Sequence, residues 1–207
     1  MGYRDRRAAG AALAEHLAGY AGRDDVVVLG LVRGGVPVAA EVARRLGAPL
    51  DVLVVRKLGV PWAPEVAFGA LGPGGVRVLN EEIVARLPRP AVAGVLRHEA
   101  GELARRERRY RSRRAAIDLA GKVALLVDDG LATGATARAG VAVARELGAS
   151  RVVVAVPVGA AEAVEQLAVE ADEVVCPLQP PLFGAVSRFY DDFGQVTDAE
   201  VVSLLVP

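Results

Sequence analysis

Short apolar runs alternate with helical patterns along most of this 207-residue chain. Runs rich in Val and Leu predict buried strands, and apolar residues three or four positions apart predict the helices that cover them. Alternation of this kind is typical of an α/β fold with a doubly wound, mostly parallel sheet flanked by helices. The predicted strands are 26–32, 50–55, 123–127, 151–156 and 173–176, and the predicted helices are 4–20, 36–46, 135–147 and 160–170.

The stretch from residue 59 to residue 119 interrupts this alternation. Apolar segments on both sides of Gly72-Pro73-Gly74-Gly75 predict a small hairpin over 65–79, and a long helix is expected over about 91–114. We therefore predict a single domain, 1–207, with a hairpin and helical insertion at 59–119.

Composition argues against several kinds of protein. The 25 basic and 25 acidic residues cancel, so no global field draws the chain to nucleic acid or to a membrane. The apolar runs are too short or too broken for a transmembrane helix, and the first residues lack the apolar core of a signal peptide, so a cytoplasmic protein is expected. Cys176 is the one cysteine, which argues against an internal disulfide and a cysteine-based zinc site.

The stretch from Val123 to Thr136 carries the clearest chemical pattern. An apolar strand runs into Asp128-Asp129 and then into a loop of small residues that opens a helix. Backbone N–H groups and hydroxyls at a helix N-terminus attract anions, whereas carboxylates suit sugar hydroxyls and Mg²⁺. We predict a sugar-phosphate site here. A strand, turn and helix without a ligand is the simpler alternative.

Two other classes of protein also place carboxylates after a strand. A Walker-type nucleotide hydrolase requires a G-x-x-x-x-G-K-[ST] loop, which is missing from a chain whose two lysines are Lys57 and Lys122. A phosphorelay receiver domain would carry its acidic pair near the start of the domain, with another Asp at the end of a later strand. Neither requirement is met.

In its strand, acidic pair and Thr-Gly loop, this stretch resembles the type I phosphoribosyltransferases. The resemblance implies that Asp128 and Asp129 contact the ribose hydroxyls of phosphoribosyl pyrophosphate and hold Mg²⁺, directly or through those hydroxyls or water. Members of the family are commonly dimers, so a homodimer is also implied. The implied 5'-phosphate loop consists of Gly130, Leu131, Ala132, Thr133, Gly134, Ala135 and Thr136.

Two basic strand ends are predicted to bind the pyrophosphate group. Arg33-Gly34-Gly35 follows the first strand, where glycines permit close backbone approach, and the corresponding family loop binds pyrophosphate, often through a strained peptide. Arg56-Lys57 is predicted to end the next strand and resembles the adenine-type members, with Lys57 the first choice and Arg56 the second. An ordinary turn and solvated cations are the alternatives.

The implied reaction moves the 5-phosphoribosyl group to a nitrogenous base or amine and releases pyrophosphate. Arg33, Lys57, Asp128 and Asp129 are the predicted catalytic residues, with Mg²⁺ neutralising the departing charge. Family members that use 6-oxopurines carry Asp at the position of Ala132, so this class of acceptor is disfavoured and the acceptor is otherwise unassigned. A non-catalytic regulator that senses phosphoribosyl pyrophosphate is the alternative function.

Aromatic residues supply candidates for the acceptor site. Family members cover the base with a variable hood, and 177–193 is the candidate hood segment here. Phe183 and Tyr190 are predicted to contact a base, and either Asp191 or Asp192 is predicted to accept a hydrogen bond from the N–H of that base. Trp62 in the insertion is another stacking candidate. Packing of the C-terminal aromatics against the sheet edge is an equally open interpretation.

The helix predicted over 91–114 is rich in arginine. Pairs one turn apart, such as Glu102 and Arg106, are typical of a solvated face. Alternatively, one arginine or Tyr110 reaches the active site, since the family places a mobile catalytic loop in this interval. RNA binding is a third interpretation, weakened by the zero net charge. The arginines are Arg105, Arg106, Arg108, Arg109, Arg111, Arg113 and Arg114.

Overall fold

The computed structural model of the protein describes residues 2–111 and 115–205. Over these residues the strands are β1 (Val26–Leu31), β2 (Leu50–Leu53), β3 (Arg56–Val60), β4 (Ala63–Leu71), β5 (Arg77–Leu79), β6 (Val123–Val127), β7 (Arg151–Ala155) and β8 (Glu173–Val175). The helices are α1 (Arg6–His16), α2 (Gly35–Leu46), α3 (Glu81–Val84), α4 (Arg89–Tyr110), α5 (Ala135–Glu146), α6 (Ala161–Leu167) and α7 (Asp198–Leu205).

Five parallel strands form the central sheet in the order β2-β1-β6-β7-β8. Every residue of β1 and β6 is buried, because α1 and α2 cover one face of the sheet and α5 and α6 cover the other. Such two-sided burial explains why these strands appear in the sequence as unbroken apolar runs. The predicted fold class, a mostly parallel sheet flanked by helices, is confirmed.

The strand order determines which loops meet. β1 and β6 are direct neighbours, with Gly30 opposite Val127 near their carboxyl ends. The chain leaves β1 toward β2 on one side and returns through β6 on the other. Ligands of open parallel sheets bind in the crevice where the winding reverses in this way. The loops after β1 and β6 are therefore the place to look for a site.

A second sheet, antiparallel in the order β3-β4-β5, is built from part of the insertion. The predicted hairpin corresponds to β4 and β5, joined by a turn in which Gly74 and Gly75 adopt positive φ. The prediction that Arg56 and Lys57 end a strand of the parallel sheet is wrong. β2 ends at Leu53, and the two basic residues begin β3 because that segment pairs with β4 instead.

The long helix α4 runs from Arg89 to Tyr110, close to the predicted range, while Arg113 and Arg114 lie outside the described residues. Arg111, just after α4, is not on a solvated face. Its guanidinium contacts both carboxylate oxygens of Asp51, a β2 residue that is 4% exposed. This buried ion pair ties the end of α4 to the central sheet. Within the described ranges, none of the helices has the length and apolar character needed to cross a membrane.

Candidate functional site

Asp128 and Asp129 lie at the carboxyl end of β6, where both are largely shielded from solvent. Oδ1 of Asp128 accepts the N–H of Asp129 at 2.9 Å, and Oδ2 of Asp129 accepts the Nε–H of Arg6 at 2.9 Å. Burial, followed by the charge of Asp129, raises the pKa of Asp128 well above its ordinary value. Burial also raises the pKa of Asp129, although Arg6 opposes this. Carboxylates in this environment favour a ligand that brings hydroxyl donors or positive charge.

The loop after β1 packs directly on this acidic pair. A Cβ atom at Gly34 would overlap Oδ2 of Asp129, and one at Gly35 would overlap the carbonyl oxygen of Val127. The peptide between Val32 and Arg33 is cis. The structure thus brings together two predicted parts of the site, the Arg-Gly-Gly loop and the acidic pair, and glycine is what allows them to approach so closely.

Residues 130–136 connect β6 to α5. Leu131 is buried, its N–H donates to Val158 at 2.9 Å, and its carbonyl accepts from Ala160 at 2.8 Å. Because its backbone N–H and carbonyl are already hydrogen-bonded, Leu131 anchors the predicted 5'-phosphate loop, and its assignment to that loop stays a prediction. Gly134, with φ 74°, turns the chain into α5.

The other residues of this loop have backbone N–H groups that could bind an anion. Within the part of the chain that the structure describes, the N–H groups of Ala132, Thr133, Gly134 and Thr136 have no protein acceptor. The Thr133 hydroxyl accepts the Ala135 N–H at a long 3.4 Å. Unpaired N–H groups at the start of a helix bind phosphate groups readily, because the helix dipole adds to the attraction.

Arg6, the first residue of α1, joins the acidic pair although no sequence pattern indicated it. Besides its bond to Asp129, its guanidinium donates to the carbonyl of Gly194 at 2.7 Å and lies 3.9 Å from the centroid of the Phe193 ring. Only 12% of the Arg6 side chain and 14% of the Asp129 side chain are exposed. The contact spans 123 positions in the sequence, so no local motif could have predicted it.

Arg33, predicted to bind pyrophosphate, faces the start of α7. Its guanidinium lies 3.7 Å from Oδ1 of Asp198, which also accepts a hydrogen bond from the Tyr110 hydroxyl at 2.6 Å. The other oxygen of Asp198, Oδ2, forms an ion pair with Arg109 at 2.9 Å. Burial raises the pKa of Tyr110 to about 12. The Tyr110 hydroxyl thus links α4 to α7 through Asp198 and is not directed at the acidic pair.

Arg56 and Lys57 have different partners. The Nε–H of Arg56 donates to Glu99 of α4 at 2.6 Å, and both side chains are mostly buried. Among the described residues, the one hydrogen-bond partner of Lys57 Nζ is the carbonyl oxygen of Pro64, at 2.8 Å, in an exposed bond. Because Lys57 leaves a neutral partner instead of a carboxylate, it loses less than Arg56 when it turns toward an anionic ligand.

Lys57 also lines a cleft of about 410 Å³ between the antiparallel sheet and α5. Its lining combines small residues, such as Ala67 and Gly69, with charged side chains that include Arg138 and Glu170. Ala135, the first residue of α5, is part of the lining as well, so the cleft adjoins the loop with the unpaired N–H groups. The predicted pyrophosphate-binding lysine therefore lies beside the predicted phosphate loop.

Tyr190 supports the acidic loop instead of offering a surface to a base. It is 7% exposed, and its hydroxyl donates to the backbone carbonyl of Asp129 at 2.6 Å. Its ring packs against Tyr3 and Phe193, and burial raises the pKa of its hydroxyl. These contacts correct the prediction that Tyr190 binds an acceptor base, because the ring is already covered by protein.

The other acceptor candidates are more open. Phe183 stacks on Phe189 with 5.5 Å between ring centroids and is partly exposed. Asp191 has an exposed side chain, while its N–H donates to Tyr3 at 2.9 Å. Trp62, 64% exposed, lies in the turn between β3 and β4. The assignment of these three side chains to an acceptor stays a prediction.

Asp128 and Asp129 are also the predicted metal ligands. Within residues 2–111 and 115–205, there is no group of three or more His, Cys, Asp or Glu side chains arranged to hold a metal ion. Mg²⁺ is commonly bound by one or two carboxylates together with substrate phosphates and water. The two aspartates fit a magnesium ion that is held jointly with a substrate.

A sequence profile of the family described as "Phosphoribosyl transferase domain" matches residues 4–193. The match spans both loops of the site, α1 with Arg6, and the segment with Tyr190. The chain therefore belongs to the phosphoribosyl transferase domain family.

Individual relatives agree with this assignment. Two Mycobacterium tuberculosis proteins, from strains CDC 1551 and H37Rv, carry the name "Putative phosphoribosyl transferase" and are each 55% identical over 203 residues, 97% of this chain and 46% of theirs. The chain thus spans about half the length of these curated relatives. The crystal structure of TT1426 from Thermus thermophilus is similar over 99% of this chain and 98% of its own, with a TM-score of 0.92 and 48% identity.

Proposed function

We propose that the chain transfers the 5-phosphoribosyl group from phosphoribosyl pyrophosphate to a nitrogenous base or amine and releases pyrophosphate. One observation carries the proposal. The Gly34-Gly35 loop packs on Asp128-Asp129, and the same segment continues into the unpaired N–H groups at the start of α5. A ligand that matches these neighbouring groups carries hydroxyls between two anionic ends, as phosphoribosyl pyrophosphate does.

Each part of the ligand has a partner in this proposal. The N–H groups of residues 132–136 hold the 5'-phosphate, and the acidic pair accepts the ribose hydroxyls. We assign the Arg-Gly-Gly loop and Lys57 to the pyrophosphate group, which needs a cation and close backbone approach. Positioning of this kind places C1 of the ribose next to the acceptor nitrogen.

The reaction exchanges one bond for another at C1. The bond from C1 to the pyrophosphate oxygen breaks and its electron pair leaves with pyrophosphate. The acceptor nitrogen forms the new bond with its lone pair and loses a proton to water or to the released pyrophosphate. Positive charge builds on the sugar ring, as in glycoside hydrolysis. Asp128 and Asp129 stabilise that charge, and Lys57 stabilises the leaving group.

Asp128 and Asp129 would also hold Mg²⁺ together with the substrate. When bound, the ion neutralises charge on the pyrophosphate group. The burial of the two neighbouring carboxylates supports this assignment, because a cation bound between them would stabilise their charged forms.

The residue at position 132 narrows the range of acceptor bases that we expect. Ala132 is an exposed residue of the phosphate loop and carries no acid that could exchange a proton with a purine. We therefore expect hypoxanthine and guanine to be poor acceptors. A base without this requirement, or a simple amine, fits the site better.

A regulator that binds phosphoribosyl pyrophosphate without turnover is the second candidate. It is favoured by the pairing of Arg33 with Asp198 and of Arg56 with Glu99, which occupies two cations predicted for the pyrophosphate. If these pairs persist when the ligand binds, the leaving group is less well stabilised and transfer is slow.

An assay of pyrophosphate release, with phosphoribosyl pyrophosphate as substrate and Mg²⁺ present, distinguishes the transferase from the regulator. We expect release with at least one acceptor from a panel of adenine, uracil, hypoxanthine, guanine and ammonia, and none with an Asp128→Asn/Asp129→Asn variant. Thermal stabilisation by phosphoribosyl pyrophosphate without release would support the regulator. Neither stabilisation nor release would contradict both candidates.

A further inference from the structure

The N-terminal helix reaches the acidic pair through a single side chain, that of Arg6. We infer that Arg6 is a positioning residue, which acts through Asp129 and orients its carboxylate toward the ribose without touching the substrate. This inference rests on the proposed function, since it assigns ribose binding to the acidic pair.

Asp129 is fixed on several sides. Arg6 holds Oδ2 at 2.9 Å, and Gly34 packs against the same oxygen. The Tyr190 hydroxyl holds the backbone carbonyl at 2.6 Å, and the backbone N–H donates to Asp128 at 2.9 Å. With both backbone polar groups and one carboxylate oxygen bound, the direction of the remaining oxygen is determined.

This arrangement leaves one free acceptor on each carboxylate. Oδ1 of Asp129 and Oδ2 of Asp128 have no hydrogen-bond partner among the described residues, whereas the other two oxygens are occupied. Two neighbouring acceptors suit two neighbouring hydroxyl donors, such as those on C2 and C3 of a ribose. By occupying Oδ2, Arg6 selects which oxygen of Asp129 is presented to the sugar.

Arg6 is itself held rigidly. Asp5 caps the N-terminus of α1 by accepting the N–H of Ala8 at 2.7 Å, so the helix begins at a defined place. The guanidinium then bridges Asp129 and the carbonyl of Gly194 while lying on the Phe193 ring. A planar group with several fixed donors can make these contacts together, which an ammonium group cannot do equally well.

Among the described residues, few other charged or titratable groups contact Asp129. Asp128 precedes it on the same loop, Arg6 reaches it from α1, and Tyr190 reaches its backbone from the C-terminal segment. Arg6 is the only cation among these neighbours. Its removal would leave a mostly buried carboxylate without its countercharge and free to rotate.

Calorimetric titration of the full chain with ribose 5-phosphate, 2-deoxyribose 5-phosphate and inorganic phosphate tests the inference. Wild type is expected to prefer the ribose compound over the deoxy compound by about tenfold, the value of one good hydrogen bond to a charged group. In Arg6→Gln this ratio should fall below about threefold while the affinity for inorganic phosphate is unchanged. Arg6→Lys should give an intermediate ratio. Arg7→Gln, which changes an exposed arginine of the same helix, should behave as wild type.

The outcomes separate this inference from the proposed function. A ratio of about tenfold in both Arg6 variants would assign Arg6 a purely structural role and overturn the inference alone. An equal loss of affinity for all three ligands would also overturn it, because it would indicate general damage. If Arg6→Gln does not fold, the Arg6→Lys ratio decides. Failure of wild type to bind any of the three, or to discriminate between the two sugars, would overturn the ribose assignment on which the inference rests.

Discussion

Gly34 packs so closely against Asp129 that a Cβ atom would overlap the carboxylate oxygen Oδ2. The contact follows from the strand order, because β1 and β6 are neighbours and the loops that leave them emerge side by side. The proposed site for a phosphoribosyl group is thus a direct consequence of how the sheet is wound.

Substitution of Gly34 by alanine is expected to impair ligand binding more than folding. Gly34 has helical backbone angles, φ −58° and ψ −34°, that alanine adopts readily, so the collision with Asp129 is the main effect. We expect the affinity for phosphoribosyl pyrophosphate to fall by about tenfold or more, measured by calorimetry. Gly19→Ala is the matched control, since a Cβ there has no neighbour within 4 Å. Equal affinity in both variants would contradict the proposed site.

The adjacent residues Arg56 and Lys57 are expected to differ in role. Lys57→Gln should weaken the binding of pyrophosphate with Mg²⁺ by about tenfold. It should leave stability nearly unchanged, because the Lys57 side chain makes an exposed hydrogen bond to a backbone carbonyl. Arg56→Gln should cost about 1 to 2 kcal/mol of unfolding free energy and affect binding less, because it leaves Glu99 without its partner. Calorimetry measures the affinity of both variants, and urea unfolding measures their stability. A larger loss of affinity in Arg56→Gln, with a larger loss of stability in Lys57→Gln, would refute these roles.

Glu41 of α2 is expected to make stability depend on pH. Hydrogen bonds from Arg44 and then Arg45 lower its pKa to about 2. The folded state therefore binds this proton less readily than the unfolded chain, so the stabilisation is complete above about pH 4.5 and is lost as the pH falls toward 2. One pKa unit is worth about 1.4 kcal/mol, but solvent screening of the half-exposed arginines limits the total to about 1 to 2 kcal/mol.

Urea unfolding of Glu41→Gln from pH 7 to pH 2 measures this contribution. The variant should be less stable than wild type at pH 7, and the difference should vanish near pH 2. Glu15→Gln, which changes an exposed glutamate of α1, is the control and should alter stability little. A difference that stays constant over the whole range would count against the assignment.

The buried ion pair of Asp51 and Arg111 is expected to matter far more than exposed ones. Asp51→Asn removes the charge opposite a guanidinium that is 13% exposed and should cost about 3 to 5 kcal/mol in urea unfolding. Asp25→Asn breaks a pair with Arg23 in which both side chains are nearly half exposed, and it should change stability little. Comparable losses in the two variants would show that burial does not control the strength of these pairs.

Much of the fold follows from the sequence because buried parallel strands are unbroken apolar runs. β6 has the predicted bounds, and α5 ends one residue before the predicted end. The misplacement of Arg56 and Lys57 has a physical cause, since an apolar segment does not reveal whether the chain continues one strand or turns into another sheet. That choice depends on pairing with β4.

The surroundings of the acidic pair were less predictable. Aromatic residues near the C-terminus were visible in the sequence, but only the fold shows that Tyr190 has its ring covered and its hydroxyl bound to Asp129. The sequence did not indicate that Arg6 belongs to the site, because one arginine in a helix is common and its partner Asp129 is 123 positions away. Local patterns identify groups with suitable chemistry, whereas tertiary packing decides which of them meet.

The central claim is that the loops after β1 and β6 form a site for phosphoribosyl pyrophosphate. Its most direct test is a calorimetric titration of that compound with Mg²⁺ into wild type, into Asp129→Asn and into the control Asp25→Asn. We predict saturable binding by wild type and the control, and binding weaker by about tenfold or more in Asp129→Asn. No binding by wild type, or equal affinity in all three proteins, would contradict the claim.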